Sequence, residues 1–125
     1  MDINIVSGQI VDTAFRIHKA LGPGLIESVY ETVLSRDLAR RGFLIERQKS
    51  ISFEFEGLHF ENAFRADIMV ERAVIVEVKS VAVVGAIHQK QLLTYLRLLD
   101  CRLGLLLNFG APLLKQGIFR IANRL

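Results

Sequence analysis

The chain has 125 residues, 51% of them apolar and 23% charged, with 16 lysines and arginines against 13 aspartates and glutamates. One domain of this size buries about two thirds of its unfolded surface and needs no disulfide or metal staple, and the composition excludes a disordered or fibrous chain. Cys101 is the single cysteine, which excludes an internal disulfide and a multi-cysteine metal site, while the slight basic surplus is compatible with a polyanionic partner.

Val6, Ile10, Ala14, Ile17 and Leu21 recur at helical spacing, so an amphipathic helix is expected from about Ile3 to Leu21, stopped by Gly22-Pro23-Gly24. A second helix is predicted from about Leu25 to Arg41, with Arg40 and Arg41 suited to its C-terminal dipole and Gly42 beyond it. Glu27, Tyr30, Leu34 and Leu38 stand at i, i+3, i+7 and i+11. Glu27 is therefore expected at the head of the stripe that faces the core, its charge favoured by the helix N-terminus. The plainer alternative is a first-turn glutamate that serves the dipole alone.

After Leu44 to Lys49, Ile51, Phe53 and Phe55 alternate with Ser52, Glu54 and Glu56, as in a half-buried strand. Glu56-Gly57 reads as a turn into a return strand over Leu58 to Phe64, and the run Phe64 to Val70 carries Asp67. A tight turn near Glu71-Arg72 leads into Ala73 to Lys79. There Ala73, Ile75, Glu77 and Lys79 share one strand face, and Val74, Val76 and Val78 the other. A carboxylate among core residues is costly unless a cation, a metal or hydrogen bonds compensate it. Either a Glu77/Lys79 pair or a divalent metal beside the lysine would do so. A two-residue turn would pair Asp67 with Val76, on the wrong face for Glu77. An odd-length loop such as Glu71-Arg72-Ala73, a bulge or strong twist is required to bring the two carboxylates together.

A third helix is expected from about Gly85 to Asp100, with His88, Gln91 and Tyr95 along one edge of a face made by Leu92, Leu96 and Leu99. Leu103 to Phe109 reads as a buried strand and Gly117 to Ala122 as a last, edge strand able to pair with a second copy. No window of about 18 uncharged apolar residues occurs, and the N-terminus lacks a secretion-signal pattern, so the expectation is a cytoplasmic protein with no membrane partner.

Gly24-Leu25-Ile26-Glu27-Ser28-Val29-Tyr30, then Ala66-Asp67, Glu77-Val78-Lys79 and Gln91-Leu92-Leu93-Thr94-Tyr95-Leu96, in this order, resemble the bacterial GxxExxY proteins of the PD-(D/E)XK nuclease superfamily. The resemblance runs from Leu21 to about Gly110, with Ala66 standing where the superfamily name has proline. It implies one α/β domain over residues 1–125, a restriction-endonuclease-like mixed β-sheet flanked by α-helices. It also implies magnesium- or manganese-dependent hydrolysis of DNA or RNA phosphodiesters. In that reading Asp67 and Glu77 hold the ion directly, the Val78 carbonyl adds a ligand, and Glu27 closes the site directly or through water. Lys79 orients the attacking water or stabilises developing negative charge, and Gln91 and Tyr95 hydrogen-bond the lysine, a carboxylate or the phosphate. Oxygen-only ligands favour magnesium or manganese over zinc.

With no separate target-reading segment, specificity is expected from a homodimer, a partner protein or the shape of the nucleic acid. A reading from another class is a non-catalytic nucleic-acid-binding or regulatory module on the same fold. A glycosidase-like carboxylate pair fits poorly with Lys79 on the same face and the absence of tryptophan.

Overall fold

The computed structural model describes residues 1–124. Helix α1 (Ile3–Leu21) starts at Asp2, whose carboxylate accepts the Asn4 N–H at 2.8 Å, and ends at Gly22 with φ 75°. There follow α2 (Glu27–Arg40), β1 (Ile45–Phe55), β2 (Leu58–Val70), β3 (Val74–Lys79), α3 (Ala86–Leu99), β4 (Leu103–Asn108), a 3₁₀ turn (Leu114–Gly117) and β5 (Ile118–Ala122). Among the described residues no helix is long and apolar enough to cross a membrane.

The strands form one mixed sheet in the order β1-β2-β3-β4-β5. Only β3 and β4 run parallel, and α3 supplies the crossover that a parallel pair needs. β1 and β5 are the edges, which matches the expectation for the last strand. The two short runs expected on each side of Glu56-Gly57 are continuous strands, because β1 and β2 pair from Ile45↔Val70 to Phe55↔Leu58, interrupted at Gln48 and by a register shift between Ile51 and Phe53. The far part of this hairpin stands clear of the core: Phe55, Leu58 and Phe60 are exposed, and Phe53 stacks on Phe60 with ring centroids 5.2 Å apart.

Helices α1 and α2 cover one face of the sheet, over Val74, Val76, Val78, Leu103, Leu105 and Leu107. Each such fully buried aliphatic side chain contributes about 1.5–3 kcal/mol. Helix α3 covers the other face, where Ala66, Met69, Ile75 and Leu106 pack on Leu92 and Leu96. The arrangement is the expected α/β fold, a five-stranded mixed sheet flanked by three helices.

Tyr30 ties the α1–α2 connection to this core. Its ring is fully buried and stacks on Phe109 at 4.5 Å, while its hydroxyl donates to the Gly22 carbonyl at 2.6 Å and accepts the Leu25 N–H at 3.1 Å. Gly24, with φ 105°, supplies the backbone conformation the turn demands. The Gly and Tyr of the heptapeptide are thus explained by the turn they hold. Beyond Lys79 the chain is fixed by Asn108, whose side chain accepts the Val81 N–H and donates to the Val81 carbonyl, at 3.0 and 2.9 Å. Gly110 lies so close that a Cβ there would come within 2.4 Å of the Val81 carbonyl oxygen.

Candidate active site

The loop joining β2 to β3 is Glu71-Arg72-Ala73, between the paired residues Val70 and Val74. Glu71 and Arg72 both take left-handed φ, 54° and 51°. This odd length sets Met69 opposite Ile75 and Ile68 opposite Val76. The next position along each strand brings Asp67 beside Glu77 on the face under α3. The condition set by the alternation is met by the loop itself.

Backbone pairing between β2 and β3 stops at Ile68/Val76, while β3 and β4 stay in register through Lys79/Asn108. In place of the missing ladder, the Asp67 N–H donates to Glu77 Oε2 and the Val78 N–H donates to Asp67 Oδ2, each at 2.9 Å. Two carboxylates are therefore held side by side by backbone donors where the strands part. Val78 touches the pair through its N–H, and its own side chain points to the α1/α2 core.

Burial, followed by the negative charge of Asp67, pushes the Glu77 carboxyl up to about 8, against the opposing pull of the Asp67 N–H and the Lys79 ammonium. Lys79 is half-buried two residues along the same face. Tyr95 leans in from α3, its ring stacked on Phe64 with centroids 4.0 Å apart. Burial first, then the charges of Glu77 and Asp67, push its phenol upward, so it stays a hydrogen-bond donor at neutral pH. Gln91, one helical turn earlier, is exposed.

Glu27 does not join this cluster. It is exposed in the first turn of α2, beside exposed Leu25, Ile26 and Val29, and it lines a groove with Ser80, Val81 and Ala82. Among the described residues no three His, Cys, Asp or Glu side chains stand close enough to hold one ion. The structure thus brings Asp67 and Glu77 together and sets Glu27 apart from them, and the core-facing stripe of α2 begins at Tyr30.

One helical turn further on, Glu31 is buried and accepts Arg47 Nη2 at 3.0 Å and Gln48 Nε2 at 2.6 Å. The same Gln48 amide reaches Asp67 Oδ1 at 3.4 Å. Gln48 has φ 48° in the middle of β1, and the β1/β2 ladder skips it between Arg47↔Ile68 and Lys49↔Ala66. A non-glycine residue in this conformation, directly across from Asp67, marks a built position. Sequence reasoning missed these residues, although Glu31 stands at i−3 and i−7 from Leu34 and Leu38 and so satisfies the same periodicity that recommended Glu27.

The donor set suits a hard divalent cation. Asp67 and Glu77 offer only oxygen, and a cation between them would relieve the repulsion and burial that raise Glu77. Magnesium in particular takes one or two carboxylates and completes its shell with water and phosphate oxygens.

No curated protein and no solved structure matches the chain. The family model of the PD-(D/E)XK nuclease superfamily matches residues 4–121, from α1 into β5, and the chain belongs to that superfamily.

Proposed function

We propose that the protein is a metal-dependent nuclease of the GxxExxY type, hydrolysing phosphodiester bonds of DNA or RNA. The observation that carries this reading is the Asp67/Glu77 pair, fixed by reciprocal backbone hydrogen bonds on one strand face with Lys79 beside it. Magnesium or manganese, when bound, would neutralise phosphate charge and lower the pKa of the attacking water. Asp67 and Glu77 would hold the ion, with the Val78 carbonyl as a further ligand. Glu27 contributes through water from its groove. Lys79 offsets the negative charge that develops on the phosphate and orients the nucleophile. Tyr95 donates from its protonated phenol to the phosphate or a carboxylate, and Gln91 hydrogen-bonds the substrate from the same helix. Glu31, through Gln48, steadies Asp67.

The test is incubation with magnesium or manganese and a panel of single-stranded, duplex and branched DNA and RNA. Cleavage of at least one substrate is expected, and Lys79→Ala should abolish it with the melting temperature unchanged. The second reading is a binding module that keeps the fold without cutting, consistent with a pair that no third carboxylate joins among the described residues. Failure to cleave any substrate, together with no heat of metal binding, would decide for that module.

A further inference from the structure

A groove of about 600 Å³ lies between α1 and α2. These helices occupy the sheet face opposite the one under α3, so the sheet separates the groove from Asp67 and Glu77. Arginines 16, 36, 40 and 41 line it, and Asp37 is the one carboxylate among its described lining residues. Asp37 is engaged by Arg36 at 3.0 Å, and Arg41 is engaged by Asp12 at 3.0 Å and Gln9 Oε1 at 2.6 Å. Arg16 and Arg40 make no ion pair among the described residues and are both exposed. The C-terminal dipole of α2 accounts for cations at Arg40 and Arg41, in or beside the last turn. Arg36, a turn earlier, has its counter-charge in Asp37, but neither the dipole nor an ion pair accounts for Arg16, which lines the same space from the other helix. Arg36 and Arg40 stand at i, i+4 on α2, a spacing at which like charges repel. Asp37 offsets that repulsion at Arg36, which leaves Arg40 and Arg16 as the two guanidinium groups with no ion pair among the described residues to meet an anion in the groove.

We propose that the groove binds a nucleoside 5′-phosphate, either free or as the phosphorylated end of a nucleic-acid strand. Arg16 and Arg40 present their planar donor forks to the phosphate oxygens, the geometry guanidinium groups share with phosphate. Ile17, Ala20, Leu21 and Val33 give the groove an apolar lining that receives the base or sugar. The volume falls within the range of small-ligand sites, and a concave apolar surface with a few convergent charged groups is the usual construction of such a site. The inference does not rest on cleavage.

The test uses the full chain without divalent metal, so its outcome is independent of the nuclease reading. Adenosine 5′-monophosphate, adenosine, a short single-stranded DNA with and without a 5′-phosphate, and an oligoglutamate peptide are titrated while amide NMR shifts are followed. Saturable binding of the monophosphate or of the 5′-phosphorylated strand is expected, with shifts at Ile17, Leu21 and Val33. Arg16→Ala with Arg40→Ala should weaken it at least about tenfold, as loss of charge-assisted hydrogen bonds requires. The corresponding lysine variants, which keep the charge and lose the fork, should fall between. Arg97→Ala on α3 should leave binding unchanged. Equal affinity for both phosphorylated probes identifies the free nucleotide as sufficient, and binding of the strand alone identifies the strand end. No saturable binding of either, equal binding of oligoglutamate, equal loss with Arg97→Ala, or shifts away from the groove would each overturn the proposal. Melting curves of each variant separate lost binding from lost folding.

Discussion

Under α1 and α2, β3 presents Val74, Val76 and Val78 to a cluster of 17 buried side chains among the described residues, whereas the same strand turns Glu77 and Lys79 toward α3, where the cluster numbers six. One six-residue strand thus serves two purposes. Its α1/α2 face stabilises the fold by burial. Its α3 face gives up apolar packing to hold two carboxylates together, and the cost is visible in the upward shift of Glu77. The thick face can carry the stability because the thin face does not have to.

If that division is right, damage to the two faces should read out differently. Truncation on the thick side comes first: Leu34→Ala, at a fully buried position, should destabilise the protein by about 2–5 kcal/mol in a denaturant titration. A loss well under that range would mean the α1/α2 core is not the main source of stability.

On the thin side a substitution should stabilise. The Glu77 carboxyl is raised from 4.5 to about 8 in the folded chain, so the folded state binds its proton more tightly than the unfolded state. The associated stability is fully present below 4.5 and is lost as pH rises through 8. Metal-free protein should therefore weaken across that window, and Glu77→Gln should remove the slope and gain about 2–3 kcal/mol at pH 7. Parallel pH–stability curves for the two proteins would break the comparison.

Glu31→Ala tests the link between the faces, since it strips Arg47 and Gln48 of their shared acceptor. A loss of about 1–2 kcal/mol is expected, discounted because Arg47 is partly exposed. Metal affinity should fall with it if the Gln48 amide steadies Asp67. The smallest stability effect belongs to Tyr95→Phe, which keeps the ring on Phe64 and should change stability by no more than about 0.5 kcal/mol. Its expected signature is a drop in cleavage rate with the fold intact. A large loss of stability would make the phenol a structural group instead.

The strand was legible because its period of two is strict: three valines on one side and Ile75, Glu77 and Lys79 on the other admit one assignment. The loop length stayed open, since an odd loop, a bulge or strong twist could each set Asp67 beside Glu77, and the structure uses the odd loop. The third acidic position was not legible. Glu27 and Glu31 both keep helical spacing to Leu34 and Leu38, and what separates them is that Glu31 meets Arg47 and Gln48 of β1 while Glu27 stays exposed, a tertiary fact that no local pattern encodes. Gln48 was hidden for a related reason. Its left-handed backbone breaks the β1 ladder opposite Asp67, and a glutamine in a polar run gives no sign of such a conformation. The far half of the β1/β2 hairpin did alternate in the sequence, but alternation alone could not show that no layer covers it, so Phe55, Leu58 and Phe60, read as half-buried, stand exposed.

The most direct test of the central claim, that Asp67 and Glu77 together form a divalent-cation site, is a calorimetric titration of manganese into the wild-type chain, Asp67→Asn and Glu77→Gln at one pH. The account predicts one ion per wild-type chain and loss of that binding in both variants while each stays folded. Wild-type protein that takes up no manganese, or variants that bind it as tightly as the wild type, would contradict it.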